Sequence, residues 1–424
     1  MLIAAGGSLY LAAMMVLAVT QARLGTPLFF VCAAMAALIF AFVVAAVWRA
    51  PISRTRTFGL AILFAVAFRI PLAVPRVNGD NDLIRYLWDG RVQKLGINPY
   101  AVRPADPQLA FTHTDDTRAM PSARARTPYP PGAQLFFRFV VAVRDSPRAM
   151  KLALVACDLL TILVVWRWLL VSGRSEWLTL LYAWNPLVVL DVAHSGHIDA
   201  LGALWTAAAA FWLTRKRTAL ATIAFVLAVA TKLLPIVLVP LLWRRITGRD
   251  ALIGAGLFVL LYLPFASGTD VLSGVRTVVE HVRFNGPIFR FFGALTSPET
   301  AARIAVAIGL LTATWCRWKL SPDDPAAWAW PMGAAILCAP VVYSWYLLYL
   351  TPFLLTRSTL PLLVWSGTVL MTYAVWEIAR AGGRWVVPVG ILVAEYSVVI
   401  ASAAAVAWWT RVPFRAPAAS RSTG

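Results

Sequence analysis

Apolar runs long enough to make helices, separated by short polar breaks, set the pattern of this chain from its first residues. They fall near 3–20, 27–47, 58–74, 148–171, 176–191, 198–214, 251–266, 301–316, 327–342, 345–356, 360–376 and 386–409. A further stretch near 218–243 reads either as one long helix or as two short ones. A bilayer takes roughly 17–25 such residues per crossing, which predicts about 13 or 14 spans. No strand-length alternation of the barrel kind is visible. The expected fold is therefore all-α: a polytopic transmembrane helical bundle with residues 1–424 as one integral membrane domain. Two polar interruptions stand out, 75–147 and 267–300, and both read as loops outside the bilayer.

Composition agrees with the pattern. With 60% hydrophobic residues, 19 Trp and only 13% charged residues in 424, the chain cannot be arranged around an ordinary soluble core. The lipid bilayer is its first partner. The net charge of +19 sits mainly in short clusters between spans, where it reports orientation rather than a nucleic acid ligand. Arg49, Arg54 and Arg56, then Arg215, Lys216 and Arg217, then Arg244, Arg245 and Arg249, then Arg317 and Lys319 mark the cytoplasmic side, and Arg411, Arg415 and Arg421 agree. The N-terminus has no basic leader and reads as a retained helix. On this topology the first polar loop, the HSGHID segment and the loop around Phe284 to Arg290 share the extracytoplasmic face of the cell membrane. Cys32, Cys157, Cys316 and Cys338 form no CxxC pair, so neither a disulfide framework nor a zinc site is expected.

The first loop begins with acids where a span should end: Asp80, Asp82 and Asp89. From Asp82 to Leu95 the spacing predicts a helix lying in the membrane interface. Leu83, Ile84, Leu87, Trp88, Val92 and Leu95 form its apolar stripe, with Asp82, Arg85, Asp89 and Gln93 opposite. A bland alternative makes Asp82 or Asp80 a helix N-cap. Asn98-Pro99-Tyr100 and Tyr129-Pro130-Pro131 are expected to hold loop shape, because proline restricts both itself and the residue before it.

Several ordered motifs then carry a resemblance. DNDLIRYLWDGRVQKLGINPY followed by YPPGAQ, WNPLVVLDVAHSGHIDAL, KLLPIVLVPLL and PVVYSWYLLYLTPFL together resemble the GT-C superfamily of membrane glycosyltransferases. Within it the chain is most similar to bacterial polyprenyl-phosphomannose-dependent mannosyltransferases, over about residues 75 to 355. The resemblance implies a catalytic acid in the first outer loop, carried to Asp82 first and Asp80 second, and a single inverting displacement that gives an α-linkage from a β-linked donor. It also implies a polyprenyl-phosphate sugar donor, a glycan or glycolipid acceptor and no cofactor. The segment after Asn185-Pro186, with His194, His197 and Asp199, would border the active-site cavity.

The residue types suit that chemistry. An acceptor hydroxyl must lose a proton as it attacks, and a positioned carboxylate base typically contributes about 10²–10⁴-fold. A departing lipid phosphate needs cations, for which Arg85, Arg91, Lys232, Arg283 and Arg290 are candidates. Lys232 stands out because an ammonium within apolar sequence needs a partner or a task; snorkelling to the interface is its plain alternative. H-x-x-H-x-D at His194, His197 and Asp199 has metal-like spacing but lacks a convergent third ligand nearby in sequence, so it reads as a sugar or phosphate contact, with a structural helix cap as the plain alternative, and no metal is assigned. Tyr343, Trp345 and Tyr346 fit either an interfacial aromatic belt or a wall for sugar and prenyl chain. Asp89 and Tyr129 complete the candidate substrate-binding set. A secondary transporter is disfavoured, because the polar residues collect at one face rather than at a midplane. A polyprenyl-phosphate or glycolipid flippase stays open as the alternative, and it would have no use for a base at Asp82.

Overall fold

A computed structural model describes residues 2–49, 55–74, 82–118, 120, 122–266 and 270–411. Asp80, Asn81, Arg54, Arg415 and Arg421 lie outside the described residues, so nothing further is derived for Asp80. Helices α1 (Leu2–Thr20), α2 (Pro27–Arg49) and α3 (Thr55–Ala73) open the chain, and α4 (Asp82–Lys94) and α5 (Pro131–Val143) belong to the first polar loop. Next come α6 (Pro147–Val171), the short turns α7 (Leu180–Ala183) and α8 (Pro186–Val188), α9 (Asp199–Thr214), α10 (Thr218–Thr231), the turn α11 (Val239–Leu242) and α12 (Gly248–Tyr262). The second polar loop holds α13 (Ser273–His281) and α14 (Pro287–Phe292). The chain then continues through α15 (Pro298–Lys319), α16 (Pro325–Cys338), α17 (Leu360–Thr368), α18 (Ala374–Arg380) and α19 (Val389–Arg411).

The protein is an all-α polytopic membrane bundle. Among the described residues six stretches are long and apolar enough to cross a bilayer: Ile3–Thr20, Pro27–Arg49, Pro147–Val171, Gly248–Phe265, Arg357–Arg380 and Val389–Trp408. This is fewer than the pattern of apolar runs predicts: the runs near 58–74, 198–214, 301–316 and 327–342 form helices α3, α9, α15 and α16 that are not among the six, and three further runs are broken, with proline at or near each break. The 176–191 run breaks at Asn185-Pro186. The 218–243 run splits at Lys232 into α10, a 3-10 segment Leu234–Leu238 that holds Pro235, and α11, and the 345–356 run is two 3-10 segments, Ser344–Tyr349 and Thr351–Phe353, with Pro352 in the second. Each proline removes an amide donor. Such broken backbone persists at membrane depth only where it is enclosed by protein, and here Pro186, Pro235 and Pro352 are all buried.

Small residues decide which helices meet. Ala207, Ala209 and Ala210 of α9 and Ala221, Ala224 and Ala228 of α10 are buried, and short side chains let helix backbones approach closely where lipid supplies no hydrophobic drive. An ion pair joins α3 to α6: Arg69 donates to Asp158, both fully enclosed. Tyr182 donates to Asp158 at 2.7 Å and Arg69 donates to the Ala183 carbonyl at 3.0 Å, which fastens the broken stretch after α6 onto the pair. That stretch continues as a π-turn, Val189–Ser195, closed by Gly196 at φ +80.

Helix α4 has the predicted bounds within a residue but not the predicted setting. It is enclosed on both faces: Leu83, Tyr86 and Leu87 join the main core, Trp88 and Val92 pack with Leu109 and Met120, and Asp89 and Gln93 are buried too. The loop after α4 folds back over it, and the Trp88 indole donates to Thr112 at 2.9 Å. Helix α5 supplies partners for the polar face, with Gln134 donating to Asp89 at 2.8 Å and accepting from Gln93 at 2.7 Å. An amphipathic pattern signals an interface, and here that interface is with protein.

Candidate active site

Helix α4 brings Asp82 to the edge of a cavity of 1950 Å³. The helix is aimed by Tyr86, which stacks on Phe137 of α5 with ring centres 4.5 Å apart and accepts the Ile198 amide at 3.3 Å. Asp82 therefore stands against the segment that closes the π-turn, with its Oδ2 3.9 Å from His197 Nδ1. Its side chain keeps 31% of its surface open to the cavity, yet the surrounding wall removes it from bulk water. Burial is the main reason the carboxyl is pushed up to about 6; the Lys232 ammonium opposes the rise, the Asp199 carboxylate adds to it, and a hydrogen bond from Tyr129 lowers it. A carboxyl held there is ionised at neutral pH and still basic enough to accept a proton.

Lys232 sits where α10 ends. Its ammonium donates to Asp199 Oδ1 at 2.6 Å and lies 4.0 Å from the centre of the Tyr346 ring. The lysine thus has a buried carboxylate as partner and an aromatic face beside it, rather than reaching freely for solvent.

Four rings form one continuous stack along the next wall. His197 lies on Trp345 at 4.0 Å and 15°, Trp345 on Tyr343 at 4.4 Å and 4°, and Tyr343 on Phe284 of the second loop at 4.4 Å and 23°. The stack ties the His197 turn to a loop about ninety residues further along the chain. Asn285 holds that loop in turn: its amide donates to both carboxylate oxygens of Glu395 at 3.1 and 2.9 Å, and Glu395 also accepts from Trp365 at 2.7 Å. Part of the cavity wall is apolar, with Ile236, Phe258, Val278 and Val306 among its residues, while Arg23, Arg103, Arg124, Arg126 and Arg380 line it as well.

Of the residues singled out in the sequence, Asp82, Arg85, Tyr129, Asp199, Lys232, Tyr343, Trp345 and Tyr346 line this cavity, and His197 stands directly behind Asp82. The others lie elsewhere. Asp89 is fully buried in a cage, accepting from Arg85 at 2.8 Å, Thr127 at 2.6 Å and Gln134 at 2.8 Å, so it braces Arg85 rather than facing a ligand. Arg91 pairs with Asp145 at 2.7 Å. His194 is buried with Nε2 3.3 Å from the Ala22 carbonyl, and Arg290 is not among the residues lining the cavity. Among the described residues no three His, Cys, Asp or Glu side chains come together as a metal cage would require.

The sequence reading passed over Phe284, Trp376, Trp385, Arg126 and Ser273, all of them in the cavity wall or its ring stack. Trp376 falls in a late span and Trp385 in the short connection to the last one, where a tryptophan reads as membrane belt. Arg126 sits among several loop arginines with nothing in its neighbours to mark it out.

Residues 3–247 match the family described as Alpha-(1->6)-mannopyranosyltransferase, N-terminal domain. No curated protein matches the chain.

Proposed function

The chain belongs to the alpha-(1->6)-mannopyranosyltransferase family, and from that premise we propose that this membrane mannosyltransferase takes its mannose from a polyprenyl-phosphate donor. It passes the sugar to a glycan or glycolipid acceptor at the extracytoplasmic face of the cell membrane. The observation that carries the reading is the neighbourhood of Asp82: an acid raised to about 6, on a cavity that combines an apolar stretch of wall suited to a prenyl chain with arginines suited to a phosphate. A nucleotide sugar would have no use for that wall.

In the proposed step the acceptor hydroxyl oxygen attacks C1 of the mannosyl group while Asp82 takes the hydroxyl proton. The C1–O bond to phosphate breaks, and its electron pair leaves with the polyprenyl phosphate. One displacement inverts the anomeric centre, so a β-linked donor gives an α-linked product, in keeping with the family description. The leaving group is already good, and cations along the cavity stabilise its charge. A flippase needs no such base, and membership of a transferase family speaks against that alternative.

The test is transfer of labelled mannose from synthetic polyprenyl-phosphomannose by membranes containing the wild-type chain or Asp82→Asn. The variant should lose about 10²–10⁴-fold in rate while still binding donor. Unchanged transfer would remove Asp82 as the base, and no transfer by the wild type would remove the donor.

A further inference from the structure

Lys232, the cation that the sequence marks most strongly, is already engaged by Asp199 and Tyr346. Other donors in the same cavity are not. Arg85 is 94% buried by its 6% exposure, and its guanidinium is locked: Nε donates to Asp89 at 2.8 Å and Nη1 to the Ala125 carbonyl at 3.1 Å. Its Nη2 is left buried with no hydrogen-bond partner. The bond to Ala125 ties this guanidinium to the backbone just before Arg126, whose Nε is likewise buried without a partner. Helix α13 starts against the same stretch: a Cβ built on Gly274 would stand 2.8 Å from the Arg126 carbonyl and 2.1 Å from that of Thr127. Its first residue, Ser273, has a buried hydroxyl with no partner. Arg85, Arg126 and Ser273 all line the cavity.

A buried donor without an acceptor is costly, more so when charged, so three of them lining one cavity call for a ligand rich in acceptors. The ligand must also be anionic. Asp89 balances Arg85 and leaves Arg126 uncompensated, and the start of α13 adds the positive end of a helix dipole. Asp270, in the segment that leads into α13, is taken up by Arg276 and the Leu272 amide.

We propose that Arg85 Nη2, Arg126 Nε and Ser273 Oγ form the subsite for the phosphate of the lipid donor, separate from the Lys232–Asp199 pair. A phosphodiester offers enough acceptor oxygens for all three, and its charge grows as the sugar leaves, so the contacts tighten along the reaction. This assignment rests on the lipid-phosphate reading above.

The experiment compares binding of polyprenyl phosphate and of the corresponding polyprenol to the full chain in discs of uncharged lipid. Arg126→Gln should weaken polyprenyl phosphate by about 10- to 100-fold, as loss of a charge-assisted hydrogen bond implies, and leave polyprenol unchanged. Ser273→Ala should show a smaller loss of the same kind, and Arg126→Lys an intermediate one. Arg118→Gln, on the same loop and paired with Asp115, should change neither ligand. A misfolded variant would lose polyprenol as well, which separates folding from recognition. Wild-type affinity for polyprenyl phosphate in Arg126→Gln, with loss in Lys232→Ala, would overturn the assignment. Displacement by an anionic glycerophospholipid as readily as by polyprenyl phosphate would overturn it too, making this a general head-group site. Equal binding of phosphate and alcohol by the wild type would instead bring down the lipid-phosphate donor itself.

Discussion

Asp82 carries opposed demands, because the enclosure that makes it basic also disfavours its charge. With the carboxyl raised to about 6, transfer should fall along a one-proton limb as pH drops through that value, and rate against pH for the wild-type chain checks it. The same shift has a stability counterpart of definite sign. The folded chain holds the Asp82 proton more tightly than the unfolded chain, whose carboxyl titrates near the usual ~3.9. The contribution is thus present below the unfolded value and lost as pH rises through the folded one. Asp82→Asn should therefore melt with wild type at pH below about 4 and above it once pH passes about 6, as a thermal scan would register. Asp82 was legible in the sequence because an acid at a membrane exit is costly. Arg126 and Ser273 were not, since a missing hydrogen-bond partner exists only after packing.

Among the elements, the π-turn from Val189 to Ser195 does most to assemble the site, because it ends at Gly196 and delivers His197 against Asp82. Gly196 stands at φ +80, and a Cβ there would come within 2.4 Å of Leu83 Cδ1 on α4. Gly196→Ala should cost about 1–2 kcal/mol through the left-handed backbone alone and lower transfer by displacing α4. Adding Leu83→Ala should recover part of the activity but not the backbone term, and melting temperature measured beside transfer rate tests both halves. The sequence reads 176–191 as one apolar run, and neither the break at Asn185-Pro186 nor the wider turn that follows it shows in that run. Helix α4 was legible in length and periodicity and misleading in setting, because one amphipathic pattern serves a lipid surface or a protein groove.

Across the whole molecule the cavity is built from both ends of the chain. Asp82, Asp199 and Lys232 lie within the family match at residues 3–247, while the ring stack beyond His197 and helix α13 come from later residues. Glu395 joins these parts by holding Asn285. Glu395→Ala should release the second loop, exposing it to protease between α13 and α15 and reducing transfer, whereas Glu395→Gln keeps an acceptor for Asn285 and should stay near wild type; proteolysis rates decide. The apolar runs foretold the bundle, but contacts between residues more than a hundred apart left no trace in local pattern. The apolar wall of the cavity, finally, alters what concentration means for this enzyme. The proposed lipid-linked donor, its chain along that wall, would travel in the plane of the bilayer, so its encounters with Asp82 should follow its mole fraction among lipids, and diluting the membrane with inert lipid should slow the reaction even when the amount of donor per volume is unchanged.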